Sequence, residues 1–395
     1  MHDFNKIIKR ENTDSVKYDL RKLYFRKEDV IPMWVADMDF ETPDFIRDAI
    51  KKRANHPIYG YSIKPDSYYK AIIKWLKDSY HWKVNKGEIC FSPGVVPGLV
   101  LALMAFTKPG DKIVVQAPVY FPFFTSVLEN GRKLLHNDLI EKDNYYSINF
   151  EDLEKKLSDP KTKVLMTSNP HNPVGRVWKH DELRQIVNLC QKYDVLLFSD
   201  EIHSDLVFNN FKHIPAATIS ADAKQRSIVF MAPSKTFNMA GLSTSYLVIQ
   251  NPELRKEYKR IVEAYHLGLG NVFGTVALEA AYENGRPWLV DLINYLDKNV
   301  EIVDSFLKEN IPEITFAKPE ATYLLWLNCK ALKLDDEKLN DFFIKEAGLG
   351  LNKGSIFGQG GSGFMRMNIA CPASVVKDAL ILLKDAVKNR STQSD

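Results

Sequence analysis

The sequence predicts an α/β protein, a mostly parallel central sheet with helices on both faces joined to a smaller α+β domain, and three observations predict it. First, short apolar runs recur through the middle of the chain: Ile113-Val114-Val115, Val164-Leu165-Met166, Val195-Leu196-Leu197-Phe198, Ile228-Val229-Phe230-Met231 and Tyr246-Leu247-Val248-Ile249. Apolar on successive rather than alternate residues, they read as strands covered on both faces. Second, His180 to Tyr193 spaces Leu183, Ile186, Val187 and Cys190 along one helical face, with Asp181 and Glu182 near the N-terminal dipole. Strand, helix and strand in that order make a βαβ rhythm. Third, beyond Pro287 a long helical stretch, Trp288 to Leu307, gives way to strands at Tyr323 to Leu327 and Phe364 to Ile369. The expected division is 45–287 for the larger domain and 1–44 with 288–395 for the smaller. Asn389 to Asp395 are polar and expected to fray.

With 395 residues the chain is long enough for two or three compact units around a large core. Its 45% hydrophobic and 26% charged residues exclude a disordered or low-complexity chain. Lys and Arg number 53 against 50 Asp and Glu, and a net charge of +3 is no footprint for nucleic acid or an anionic membrane. A small molecule is the expected partner. Cys90, Cys190, Cys329 and Cys371 are too far apart for a CxxC pair or a dense disulfide framework, which fits a reducing compartment. No HExxH or paired His/Cys spacing occurs, so no metal site is expected. The polar start Met1-His2-Asp3-Phe4-Asn5-Lys6 lacks an apolar leader core, and the run Leu99 to Phe106 is too short to cross a bilayer. A cytoplasmic protein is expected.

Four segments stand at strand ends or in the turns just beyond them, where such a sheet presents its ligand site. Ser92-Pro93-Gly94-Val95-Val96-Pro97-Gly98 is a Gly/Pro turn between a short strand, Ile89 to Phe91, and the apolar helix Leu99 to Phe106. Free N–H groups at a helix start suit a phosphate. Asn169-Pro170-His171-Asn172-Pro173-Val174-Gly175 follows the Val164 strand, and its two Asn-Pro steps hold an amide side chain in one direction, able to bond a phenolic oxygen. Ser199-Asp200-Glu201-Ile202-His203 sets a carboxylate at the end of a buried strand, which is costly unless it meets a cation. The alternative there is Asp200 capping a helix. Ala232-Pro233-Ser234-Lys235-Thr236-Phe237-Asn238 places a lysine beside a hydroxyl at another strand end. Each segment alone reads as a turn, a cap or a surface charge. In order on one sheet they form the equipment for pyridoxal phosphate: a phosphate turn, a lysine for covalent attachment, a carboxylate for the ring nitrogen and an amide for the ring oxygen.

These segments resemble the fold-type I pyridoxal-phosphate enzymes, the aspartate-aminotransferase superfamily, along nearly the whole chain. Trp34-Val35-Ala36-Asp37-Met38-Asp39-Phe40, His56-Pro57-Ile58-Tyr59-Gly60-Tyr61, Gly94-Val95-Val96-Pro97-Gly98, Pro118-Val119-Tyr120-Phe121-Pro122, Ser199 to Asp205 and Ser234 to Asn238 are similar to the MalY/PatB-type cystathionine β-lyases, which include cystalysin. The resemblance implies that Lys235 holds the coenzyme covalently, Asp200 pairs with its ring nitrogen, Asn172 donates to its ring oxygen and Tyr120 plates its ring. It implies a phosphate cradle of Gly94, Val95, Val96 and Ser234, with Tyr61 reaching the phosphate in the neighbouring subunit of a homodimer. Arg366 clamps the substrate α-carboxylate, with Ala36 and Asn172 beside the substrate. His203 stands where many aminotransferases carry a Tyr near the ring oxygen.

Arg366 also has a claim of its own. In the strand Phe364 to Ile369 it shares a face with Phe364 and Asn368, opposite Met365, Met367 and Ile369, and a guanidinium suits a carboxylate. The chain departs from wider fold-type I enzymes at Ala232 and Ser243, where a phosphate-binding Ser and Arg are common. Gly358-Gln359-Gly360-Gly361-Ser362-Gly363 matches GxGxxG but precedes a strand, so it reads as a flexible loop rather than a dinucleotide turn. The implied activity is β-elimination from L-cystathionine, L-cysteine or S-substituted cysteines. The alternatives are an aminotransferase of the same fold and a regulatory binding protein.

Overall fold

The computed structural model describes residues 2–393, with side chains through residue 390. Seven strands form the central sheet in the spatial order Ile89–Ser92, Ser245–Ile249, Ser227–Met231, Leu196–Asp200, Thr162–Ser168, Lys112–Val115, Lys133–His136. Ser245–Ile249 is antiparallel to both its neighbours, and every other pairing is parallel. Successive side chains point to opposite faces, and the packing follows that alternation. Ile113, Val115, Val164, Met166 and Phe198 face the layer that contains Leu99 and Leu103, whereas Val114, Leu165 and Leu197 face the layer that contains Leu183, Ile186 and Val187. Continuous apolar runs are therefore needed, because each strand is buried twice.

The helix expected from Leu99 begins at Val95 and runs to Phe106, and the long helix expected from Trp288 begins at Arg286 and runs to Asn310. Both extensions take in a proline, Pro97 or Pro287, in the first turn, where the missing N–H has no intrahelical acceptor anyway. No helix follows Asp200. Its carboxylate instead accepts from Ile202 N–H at 3.1 Å and closes a turn. The terminal helix Ala373–Gln393 continues into the segment expected to fray, and Ser394 and Asp395 lie outside the described residues.

A three-stranded antiparallel sheet, Leu324–Asn328, Phe364–Asn368 and Asn352–Lys353, forms the second layer with Arg366 on its middle strand. It is pinned to the central sheet through the turn after Thr162–Ser168. Gly175, at φ +72°, offers its carbonyl to Glu320 N–H at 2.8 Å and Ala321 N–H at 3.1 Å, and a Cβ there would stand 2.8 Å from that of Pro319. Arg176 Nε donates to Glu320 Oε2 at 3.0 Å beside it. The glycine-rich segment 358–363 is a loop leading into the Phe364–Asn368 strand, with Gly358, Gly360 and Gly363 all at positive φ.

Candidate active site

The parallel strands end on one side of the sheet, and the turns beyond them enclose a cavity of about 210 Å³. Ala36, Gly94, Val95, Val96, Tyr120, Asn172, Asp200, His203, Ser234 and Lys235 all line it. Register explains the gathering, because Asp200 lies opposite Ser168 on one neighbour and Phe230 on the other, so the turns after three adjacent strands emerge together. Arg366 joins from the smaller sheet, its Nη1 donating to Asn172 Oδ1 at 3.0 Å. Tyr61 is not brought to the cavity of its own chain. It is 99% exposed.

Lys235 is partly buried, and its Nζ donates to Ala36 O at 2.6 Å. Burial pushes its ammonium down to about 8, against the opposing pull of Asp37. Its loop is fixed from behind. Thr236 Oγ1 donates to Asp205 Oδ2 at 2.9 Å, and Asp205 Oδ1 accepts from Trp75 Nε1 at 3.0 Å. Asn238 ties the same loop to the segment before Phe40, accepting from Met38 N–H at 3.0 Å and donating to the Met38 and Phe40 carbonyls at 3.0 and 2.8 Å.

Asp200 is buried, and burial pushes its carboxyl up to about 7, only partly opposed by the Ile202 N–H. His203 is held neutral, pushed down to about 3 by burial and then by Lys235 and Arg366, and its Nδ1 has no partner among the described residues. Burial likewise raises the Tyr120 hydroxyl above its ordinary range, so it keeps its proton. The Arg366 guanidinium donates to Asn172 Oδ1, to Trp34 O at 2.9 Å and to Asn352 Oδ1 at 2.7 Å, while its buried Nε has no partner among the described residues. Burial lowers it to about 10.

Among the described residues neither Asp200 nor Arg366 makes an ion pair, although both are buried. Unpaired buried charges are expensive and mark places where a ligand supplies the missing charge. Asn172 spends its carbonyl oxygen on Arg366, which leaves the amide nitrogen as its donor toward the cavity. The N–H groups of Val95 and Val96 open a helix at the cavity wall. One anion site, one site for a ring cation and one amine thus surround a single space, and this donor set fits pyridoxal phosphate.

The sequence reading missed Ser168, Ile202, Ala240, Thr244 and Ser245 in the wall, where Ala232 and Ser243 also lie. Residues 243–245 enter because Ser245–Ile249 runs against its neighbours, so its start lies where they end. An apolar run does not disclose strand direction. Also missed were the main-chain acceptors of Ala36 and Trp34 and the amide of Asn352. Only their contacts with distant Lys235 and Arg366 reveal them.

Residues 28–381 match the family described as aminotransferase class I and II. The chain is 44% identical over 385 residues to cystathionine beta-lyase PatB of Bacillus subtilis (strain 168), covering 98% of this chain and 100% of that one. It is similar to the structure of cystalysin from Treponema denticola, which contains a pyridoxal 5'-phosphate cofactor, at TM-score 0.96 and 39% identity over 99% of this chain and 100% of the other. It is also similar to the PLP-bound C–S lyase from Staphylococcus hominis, at TM-score 0.92 and 36% identity over 98% of each chain. With full-length likeness in both sequence and fold, the chain belongs to the class I and II aminotransferase family, in its MalY/PatB-type branch.

Proposed function

We propose that the protein is a pyridoxal-phosphate-dependent carbon–sulfur β-lyase that converts L-cystathionine, L-cysteine or related S-substituted cysteines to pyruvate, ammonia and a thiol. The observation that carries this reading is the pair of buried, unmatched charges, Asp200 and Arg366, both acting on the partly buried amine of Lys235. PatB and the Staphylococcus hominis C–S lyase, named for such chemistry, support it. When bound, pyridoxal phosphate supplies an electron sink for the pair left behind when the substrate Cα loses its proton.

The remaining chemistry belongs to the chain. Val95 and Val96 N–H groups, with Ser234 and the Gly94 turn, bind the phosphate ester. Asp200 would hold the proton on the ring nitrogen, Asn172 and neutral His203 would serve the ring oxygen, and Tyr120 would pack against the ring. Arg366 binds the α-carboxylate, with Ala36 and Asn172 beside the substrate. Lys235 Nζ, half in its amine form near pH 8, takes the Cα proton. A thiol with a pKa of about 8.5 leaves as its thiolate with little help. The same reading assigns the coenzyme to the 45–287 unit, and Arg366 with the N-terminal segment to the other.

Incubation with L-cystathionine and no keto-acid acceptor is expected to release pyruvate and a thiol. Amino transfer to an added keto acid without either product would make the protein an aminotransferase instead.

The active species in this proposal is a cytoplasmic homodimer. Four free, buried cysteines suit a reducing compartment, and among the described residues no helix is long and apolar enough to cross a membrane. Ile58, Tyr61 and Ile63 are 66%, 99% and 81% exposed, and Tyr265 and Leu269 are about half exposed, forming apolar surface on two loops that a second copy would cover. Lys64 joins the loops by donating to the Gly268 and Leu269 carbonyls at 2.8 and 2.9 Å. Tyr61→Phe is expected to weaken coenzyme retention about tenfold by removing one charge-assisted hydrogen bond across the interface. Unchanged retention in equilibrium dialysis, or an active monomer in sedimentation, would contradict this.

A further inference from the structure

The chemistry above makes no use of a second charge cluster beside Lys235. Arg10 grips Asp37 with two bonds, Nη2 to Oδ2 at 2.7 Å and Nη1 to Oδ1 at 3.2 Å, and its Nη1 also reaches Asp39 Oδ1 at 2.6 Å. The buried Lys17 ammonium donates to Asp39 Oδ2 at 2.8 Å and stands 3.9 Å from Asp37 Oδ1. Asp37 and Arg10 line a cavity of about 700 Å³ that Lys235 also lines. Asp37 directly follows Ala36, whose carbonyl receives Lys235 Nζ.

The groups facing Nζ can be counted by charge. Asp37 and Asp200 are the carboxylates, Arg366 is the cation, and His203, Tyr120 and Tyr323 are neutral, the last donating to the same Ala36 carbonyl at 3.0 Å. In the proposed function Asp200 is matched by the ring nitrogen, which leaves Asp37 as the anion available to a protonated Lys235. We infer that Asp37, partly neutralised by Arg10, is a positioning residue that sets the proton affinity of Lys235 Nζ. The matching of Asp200 and the identity of that proton, taken from the substrate Cα, rest on the proposed function. The Asp37–Arg10 pair belongs to the chain itself.

The two halves of the pair act with opposite signs. Asp37→Asn removes the anion and leaves Arg10 behind, so the protonation midpoint of Lys235 falls. Arg10→Met leaves Asp37 less neutralised, with Lys17 at 3.9 Å as its remaining cation in the cluster, so the midpoint rises. Each shift is expected to be about one pH unit, a tenfold change in the ratio of ammonium to amine.

The readout is the pH dependence of acylation at Lys235, followed by mass spectrometry on the full chain without coenzyme. The acid limb of the kcat profile is expected to move the same way in the loaded enzyme. Shifts of opposite direction support the inference. Shifts in the same direction, as a merely structural pair would give, or an unmoved midpoint overturn it. If Asp37→Asn does not fold, Arg10→Met decides alone, and a midpoint that stays or falls overturns the inference. Acylation needs no turnover, so a chain without lyase activity would defeat the proposed function while leaving this test readable.

Discussion

Lys235→Ala is expected to lower lyase turnover by about 10³-fold or more, because one amine serves both covalent attachment and transfer of the Cα proton. Its surroundings prepare it for that work. A solvated lysine at pH 7 is almost wholly protonated and a poor base, whereas burial brings the Lys235 ammonium down to about 8. The Ala36 carbonyl fixes where the freed nitrogen waits. Steady-state kinetics with L-cystathionine check this, together with coenzyme absorbance and borohydride reduction. The variant should hold coenzyme without a reducible link, and a tenth of wild-type activity remaining would remove Lys235 from its role.

Asp200→Asn is expected to show opposite effects on activity and on the stability of the protein without coenzyme. Activity should fall at least 10²-fold, because an amide cannot hold the ring nitrogen in its protonated form. Stability should rise at neutral pH. Burial raises the Asp200 carboxyl to about 7, against about 3.9 in an unfolded chain. Between those values the folded chain holds a proton that the unfolded chain has released, so stability drops as pH climbs through the window and stays low above it. The full penalty is of the order of 4 kcal/mol. Melting curves without coenzyme should therefore separate wild type from Asp200→Asn at pH 8 and bring them together near pH 4. A variant no more stable than wild type at pH 8 would mean that the carboxylate already has a partner inside the fold.

Much of this site was legible because the strands advertise where they end. Four apolar residues before Ser199-Asp200 mark a buried strand, and the polar residues after it must face whatever the sheet edge binds. Lys235 and Asn172 follow the same logic. The less legible parts are those that depend on direction and distance. Residues 243–245 reach the cavity through an antiparallel strand whose residues look like those of its parallel neighbours. The early start of the helix at Val95 was hidden by Pro97, which reads as a breaker in sequence yet is harmless in a first turn. Arg366 was aimed correctly by alternation along its strand, but its grip on Trp34 O spans 332 positions, a separation that periodicity does not cover.

The oxygen that receives Lys235 belongs to the main chain at position 36 and also takes the Tyr323 hydroxyl. No codon change at position 36 can delete it, whereas a catalytic carboxylate or hydroxyl can vanish with one nucleotide. Divergence at this spot is confined to tilting a peptide plane through whatever presses on it. Such tilting shifts the acceptor by degrees, and the lysine keeps its resting place whatever side chain stands at position 36.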